Sequence, residues 1–239
     1  MDKEKESAFD FIRAMIFPDR CVFCDEPIEY RTNVCKDCRK SVTPITGDCC
    51  PLCGFPVKEC DCRKRSRFYT AIAVVFRYEG VVRTGIHNWK YSGVSHSTRF
   101  FAKMIAEKVK MTFGDMEFDY IDFIPQTKAE TDEKGFNQSE ELACAVGQEL
   151  GIPVGNFLVK LFETDRQHNL PLREKQGNTF GVFDCIKTEN IKDKKILLID
   201  DVKTSGSTIN ECAKMLMLYD ADSVRCAVVA AALSGKGDK

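Results

Sequence analysis

No stretch of this sequence is apolar for long enough to cross a membrane. The longest candidate near the C-terminus, residues 226–233 (CAVVAAAL), falls far short of the roughly 20 residues a helical span needs. A secretory signal pattern is also missing. Asp2, Glu4 and Glu6 lead the chain, and Asp10 and Arg13 interrupt the apolar residues that follow. A cytoplasmic protein is expected. Neither sign of charge is in excess: the net charge is -1, so no protein-wide basic field calls for nucleic acid. Histidine is scarce, with His87, His96 and His168 the three present, and none stands out as a general base. Two nucleotide-binding signatures, GxxxxGK[ST] and GxGxxG, are absent. There is no low-complexity tract.

Cysteine, by contrast, is plentiful and uneven. Of 13 cysteines, nine crowd between Cys21 and Cys62, and the other four are scattered. Clustered cysteine pairs in a reducing compartment point to metal before disulfide. Cys21 and Cys24 form one CxxC knuckle, and Cys35 and Cys38 form another ten residues on; four thiolates at that spacing suit one tetrahedral zinc. Cys50 and Cys53, followed by Cys60 and Cys62, offer a second set with a less regular CxC half. Cys49 rivals Cys50, but Cys50 alone keeps the CxxC spacing. Four thiolates leave no open position for water, so the zinc is expected to be structural. A basic run, Arg63-Lys64-Arg65-Ser66-Arg67, follows directly. It reads as a solvated linker or as a nucleic-acid contact.

The chain therefore divides into a cysteine-rich module, residues 1–66, and a larger domain, residues 67–239. Phe9, Ile12 and Ile16 recur at helical spacing ahead of Pro18. The larger domain alternates. Strands are expected at residues 71–78, 120–124, 156–162, 179–185, 195–199 and 223–233. Helices are expected at 81–89, 98–111, 139–150 and 207–219. This order argues an α/β fold, a parallel sheet flanked by helices.

One stretch carries chemistry. Residues 196–208 read ILLIDDVKTSGST. Ligands of parallel α/β sheets bind beyond the carboxyl ends of strands, where Asp200 and Asp201 are expected to sit. The loop Thr204, Ser205, Gly206, Ser207, Thr208 then opens a helix. Its amide N–H groups, the helix dipole and the hydroxyls suit a phosphate monoester. The acids suit sugar hydroxyls, or a magnesium ion shared with a second phosphate group. A ribose bearing a 5-phosphate and a 1-pyrophosphate unites these parts. The competing reading is a helix cap on Ser205 or Ser207, which explains the hydroxyls but not two adjacent carboxylates.

This stretch resembles the motif of type I phosphoribosyltransferases that binds 5-phosphoribosyl 1-pyrophosphate (PRPP). WKYSG (89–93), KGFNQSEELA (134–143) and QHNLPLREKQGNTFGVF (167–183) narrow the resemblance to the ComF family. That family joins an N-terminal zinc ribbon to this fold and takes its name from DNA uptake in natural competence. The resemblance implies that Asp200 and Asp201 hold the ribose hydroxyls and that residues 204–208 hold the 5-phosphate. It implies that Pro125, Gln126 and Lys128 meet the pyrophosphate. Lys134 and a lid carrying Arg173 and Lys175 would add charge. Zinc is the implied structural metal, and magnesium would accompany PRPP. This chain has Ile124-Pro125-Gln126-Thr127 where the family has Pro-Val-Pro-Leu. Its Lys134 replaces an Arg and loses the bidentate fork. Three functions follow as expectations: a PRPP-dependent transferase, a single-stranded DNA or competence-protein partner that keeps the fold as scaffold, and a PRPP-responsive regulator.

Overall fold

The computed structural model describes residues 18–60, 62, 67–92, 95–161 and 181–233. The expected helix around Phe9, most of the basic run, and the segment containing Arg173 and Lys175 lie outside the described residues. Four parallel strands form the central sheet: β1 (Ala71–Arg77), β2 (Tyr120–Phe123), β5 (Lys195–Lys203) and β6 (Ser223–Ala231). Their order across the sheet is β1, β6, β5, β2. Two further strands, β3 (Leu158–Lys160) and β4 (Phe183–Cys185), leave this sheet and pair antiparallel with each other. This corrects the longer strands expected at 156–162 and 179–185.

The strands are apolar because both faces of the sheet are covered. On one face lie α2 (Gly80–Ser92), α3 (Ser95–Phe113) and α5 (Gln138–Leu150). They meet a core that includes Val75, Ile121, Phe123, Leu197, Ile199 and Val229. On the other lies α6 (Ser207–Leu218) with the β3–β4 pair, around Val74, Leu158, Ile196, Leu198, Cys212 and Val228.

β1 is an edge strand, yet five of its seven residues are buried. The cysteine-rich module accounts for this. Ile45 N–H donates to Val75 C=O, Arg77 N–H to Thr43 C=O, and Ile72 N–H to Pro51 C=O, so the module occupies the free edge of the sheet. It also straddles the strand. Phe23 joins the first core, while Ile45 and Phe55 join the second. Gly54 makes this approach possible: its φ is +78°, and a Cβ there would collide with the Val74 side chain.

Two short helices lack an apolar stripe and go unnoticed in the sequence. α1 (Lys36–Ser41) is capped by the Cys35 sulfur. α4 (Lys128–Lys134) is held by a capping box between Thr127 and Glu130 and ends on Gly135 in the left-handed region. Lys160, its side chain 9% exposed, ties β3 to α4 through Glu130 at 2.8 Å. No helix among the described residues is long and apolar enough to cross a membrane.

Candidate functional site

The eight expected metal ligands converge as two groups of four. In each group, Cys21/Cys24/Cys35/Cys38 and Cys50/Cys53/Cys60/Cys62, all sulfur atoms lie within 4.8 Å of one another. Zn–S bonds of about 2.3 Å in a tetrahedron set sulfur atoms about 3.8 Å apart. Cys24 and Cys35 sit at 3.8 Å, Cys50 and Cys62 at 3.4 Å, and Cys60 and Cys62 at 3.1 Å. Backbone N–H groups point at the sulfurs. Cys35 N–H donates to Cys21 Sγ at 3.4 Å and Cys38 N–H to Cys35 Sγ at 3.3 Å. Burial pushes the Cys21 thiol up, but such bonds outweigh it and bring it down to about 7. The residues thus fit zinc in both groups. Cys49 stands apart, with its thiol directed at Gly47 C=O.

The acidic pair is carried by β5, which continues past the apolar run. Val202 pairs with Ala230 and Lys203 with Ala231, so Asp200 and Asp201 lie within the strand, two residues before its end, rather than at the start of a loop. Neighbours from two other elements converge on them. Ser139 Oγ, in the first turn of α5, donates to Asp200 Oδ1 at 3.1 Å, and Asp201 N–H donates to the same oxygen at 2.9 Å. Asp201 Oδ1 accepts Val202 N–H at 2.6 Å, and its Oδ2 pairs with Lys90 Nζ at 2.5 Å. Burial, then the neighbouring Asp201 charge, pushes the Asp200 carboxyl up to about 8 against the pull of Lys90, the Asp201 N–H and Ser139. Burial alone would lower Lys90, yet the Asp201 charge holds it above its ordinary value.

The hydroxyl loop follows at once. Gly206, at φ +75°, is the N-cap of α6 and makes no side-chain cap. Ser205 Oγ accepts Ser207 N–H at 3.3 Å and lies 2.9 Å from Ser207 Oγ. The competing reading of a cap on Ser205 or Ser207 gives way to a glycine turn, with Thr204 and Ser205 exposed above it. Lys203 is buried beneath the loop, its Cε 3.1 Å from where a Gly206 Cβ would stand. Five successive small residues at the start of a helix on a strand-loop-helix turn form a cradle for an anion.

Between the acids and the start of α5 lies a cavity of about 120 Å³, lined by Lys90, Ile124, Gln126, Phe136, Gln138, Ser139, Asp200 and Asp201. Of the expected pyrophosphate residues, Gln126 lines it and Pro125 is buried nearby in sequence. Lys128 and Lys134 fall at the two ends of α4, and their side chains are outside the described set. Lys90, Ser139 and Gln138 are the residues that sequence reasoning left without a role, although WKYSG and KGFNQSEELA contain them. Two adjacent carboxylates pressed together by burial need a cation, and that demand was a usable signal for a lysine from elsewhere in the chain.

The chain matches family models in two places. The model described as "Double zinc ribbon domain" covers residues 12–68, and "Phosphoribosyl transferase domain" covers residues 137–239. Over 212 residues it is 26% identical to Competence protein ComFC of Bacillus subtilis (strain 168), spanning 83% of this chain and 82% of that protein. Over 218 residues it is 24% identical to DNA utilization protein YhgH of Escherichia coli (strain K12), spanning 87% and 95%. Among solved structures it is similar to the glutamine PRPP amidotransferase of B. subtilis complexed with ADP and GMP, at 17% identity and a TM-score of 0.38. That match covers 55% of this chain and a quarter, 25%, of the amidotransferase chain.

Proposed function

We propose that this chain, which joins a double zinc ribbon to a phosphoribosyltransferase domain and is similar over most of its length to ComF-type competence proteins, binds PRPP with magnesium and transfers or recognises the 5-phosphoribosyl group. One observation carries the reading: Asp200 and Asp201 stand near the carboxyl end of β5, with only Val202 and Lys203 between them and the glycine-turned hydroxyl loop that starts α6. Asp200 and Asp201 accept the ribose hydroxyls, and residues 204–208 enclose the 5-phosphate. The adjacent carboxylates are hard oxygen donors that fit magnesium, which would neutralise the departing pyrophosphate as the bond at the anomeric carbon breaks. Gln126, which lines the cavity, faces that group. Ser139 orients Asp200, and the buried setting strengthens every fixed charge around the reacting carbon.

Calorimetric titration of the zinc-loaded protein with PRPP, with and without magnesium, tests this. The expected result is magnesium-dependent binding that an Asp200→Asn/Asp201→Asn variant loses. A folded, zinc-loaded wild type that binds no PRPP overturns it. Pyrophosphate release on addition of candidate nucleophiles separates a transferase from a PRPP-responsive regulator.

A second reading, single-stranded DNA binding, is supported by the Arg63–Arg67 run and by the relatives' names. The zinc module argues against a broader basic surface. Residues 18–60 hold seven acidic and six basic side chains, and each Zn(Cys)₄ centre adds two negative charges. DNA affinity would then rest on the run itself. Replacing Arg63, Lys64 and Arg65 by alanine would flatten the salt dependence by about 0.7 in log–log slope for each phosphate no longer neutralised. An unchanged slope removes this reading.

A further inference from the structure

The acids at the end of β5 already have a tenant. Lys90 comes from the C-terminal part of α2, and its ammonium occupies Asp201 Oδ2, while Asp201 Oδ1 is held by the Val202 amide. Asp200 Oδ1 is held twice, by Ser139 and by the Asp201 amide. A ribose hydroxyl that reaches Asp201 must therefore share or displace the lysine. The displaced ammonium, on a side chain 39% exposed, would exchange its ion pair for water, and a second anion in the cavity would offset that loss. The cavity offers none besides the same two acids among the residues that line it. It does hold polar atoms awaiting partners: both amide atoms of Gln138, which is 4% exposed, and Oε1 of Gln126.

We infer that Lys90 is a specificity-determining residue that admits a ribose to the acidic pair only when the ligand brings its own anionic group into the cavity. The ligand class is a ribose 5-phosphate carrying a further phosphate or pyrophosphate next to its hydroxyls. The inference rests on the ribose-phosphate reading of the site and goes one step beyond it. Lys90 pairs with Asp201 while the site waits, then turns to the ligand's anion, where Gln138 can add its amide. A sugar phosphate without that second anion leaves the ammonium without that partner and binds more weakly.

The test compares two ligands on the full-length, zinc-loaded protein in magnesium. Dissociation constants for PRPP and for ribose 5-phosphate are measured on wild type, Lys90→Met and Lys90→Arg. The wild type is expected to favour PRPP. In Lys90→Met, PRPP binding should weaken by roughly tenfold or more, as when a charge-assisted hydrogen bond is removed, while ribose 5-phosphate binds as well as before or better. Lys90→Arg should keep most of the discrimination. Equal weakening for both ligands, or an unchanged ratio, overturns the inference and reduces Lys90 to a structural partner of Asp201. Should Lys90→Met fail to fold, Lys90→Gln, which keeps a hydrogen-bond donor for Asp201 but no charge, is read in the same way. A wild type that binds neither ligand overturns the ribose-phosphate reading, whereas one that binds PRPP with a Lys90-independent ratio overturns this inference alone.

Discussion

One face of the central sheet is apolar through its middle: Ala73, Val75, Ile121, Phe123, Leu197, Ile199, Ala227 and Val229 meet helices α2, α3 and α5 and the first cysteine loop. The opposite face, under α6, β3–β4 and the second cysteine loop, is mixed. It carries Cys185, Cys212 and Cys226 among its apolar residues. It also holds Asp122, a wholly buried carboxylate that accepts N–H bonds from Phe123, Phe157 and Leu158. The first face is held mainly by shape and dispersion, with the Trp89–Thr98 hydrogen bond inside its helical layer and the Lys90–Asp201 pair at its margin. The second uses hydrogen bonds to one buried acid to anchor the β3 segment. The two zinc centres follow the same division, so each can be perturbed with its own face.

The largest effects should come from the cysteines. Zinc contributes on the order of 10–16 kcal/mol in small zinc domains, comparable to the whole stability of an ordinary domain. Cys38→Ser and Cys62→Ser should each reduce bound zinc by one equivalent by elemental analysis. Cys38 lies in the apolar face with Phe23, so its variant should lose cooperative unfolding of the entire chain. The Cys62 variant should retain a melting transition from the α3–α5 layer. Identical behaviour would show that the two centres act as one unit.

Aromatic truncation should come next. Phe23 contacts Phe76, Phe100 and Phe101 edge-on at 5.9–6.1 Å. Phe55 has instead the Arg77 guanidinium over its ring at 5.5 Å. Phe23→Ala should destabilise by about 4 kcal/mol and Phe55→Ala by about 3 kcal/mol in denaturant titrations. A larger loss at Phe55 would mean that the mixed face carries more of the fold than its packing suggests.

The smallest effect concerns Asp122. Burial pushes its carboxyl up to about 7, although the three amides pull it down. The folded state then holds the proton more tightly than the unfolded chain does. Its contribution is full in acid and is lost as pH rises towards about 7. Between about pH 5 and about pH 7 the wild type should lose about 2 kcal/mol relative to Asp122→Asn. Parallel stability curves for the two proteins would remove Asp122 as a titrating anchor.

Much of this was legible from local pattern. Cysteine spacing identified both clusters because each ligand pair is set by its own loop. Apolar runs and helical periodicity identified the main layers. β5 outlasts its apolar run because backbone pairing with β6 continues to Ala231 whatever side chains follow. α4 escaped notice because KAETDEK has no apolar stripe, although Thr127, Glu130 and Gly135 spelled out both of its ends. The start of β3 is anchored by Asp122, 36 residues before Leu158, a link that local pattern does not carry. The surroundings of the acids were hidden for a similar reason. Ser139 is 61 residues from Asp200, and Lys90 is further still from Asp201 in the chain, so only the folded sheet brings them together.

The occupation of the β1 edge by residues 43–51 has a consequence for the protein under oxidative stress. Thiolates that lose zinc are open to sulfenic acid and disulfide formation, and the loops they hold would come away from the strand. That would leave a seven-residue run, Ala-Ile-Ala-Val-Val-Phe-Arg, with unpaired backbone groups along one side. Such a strand is a template for pairing between molecules. The thiolate centres therefore act as a guard against self-association, and metal-stripped protein should form intermolecular β-structure before it loses its helices.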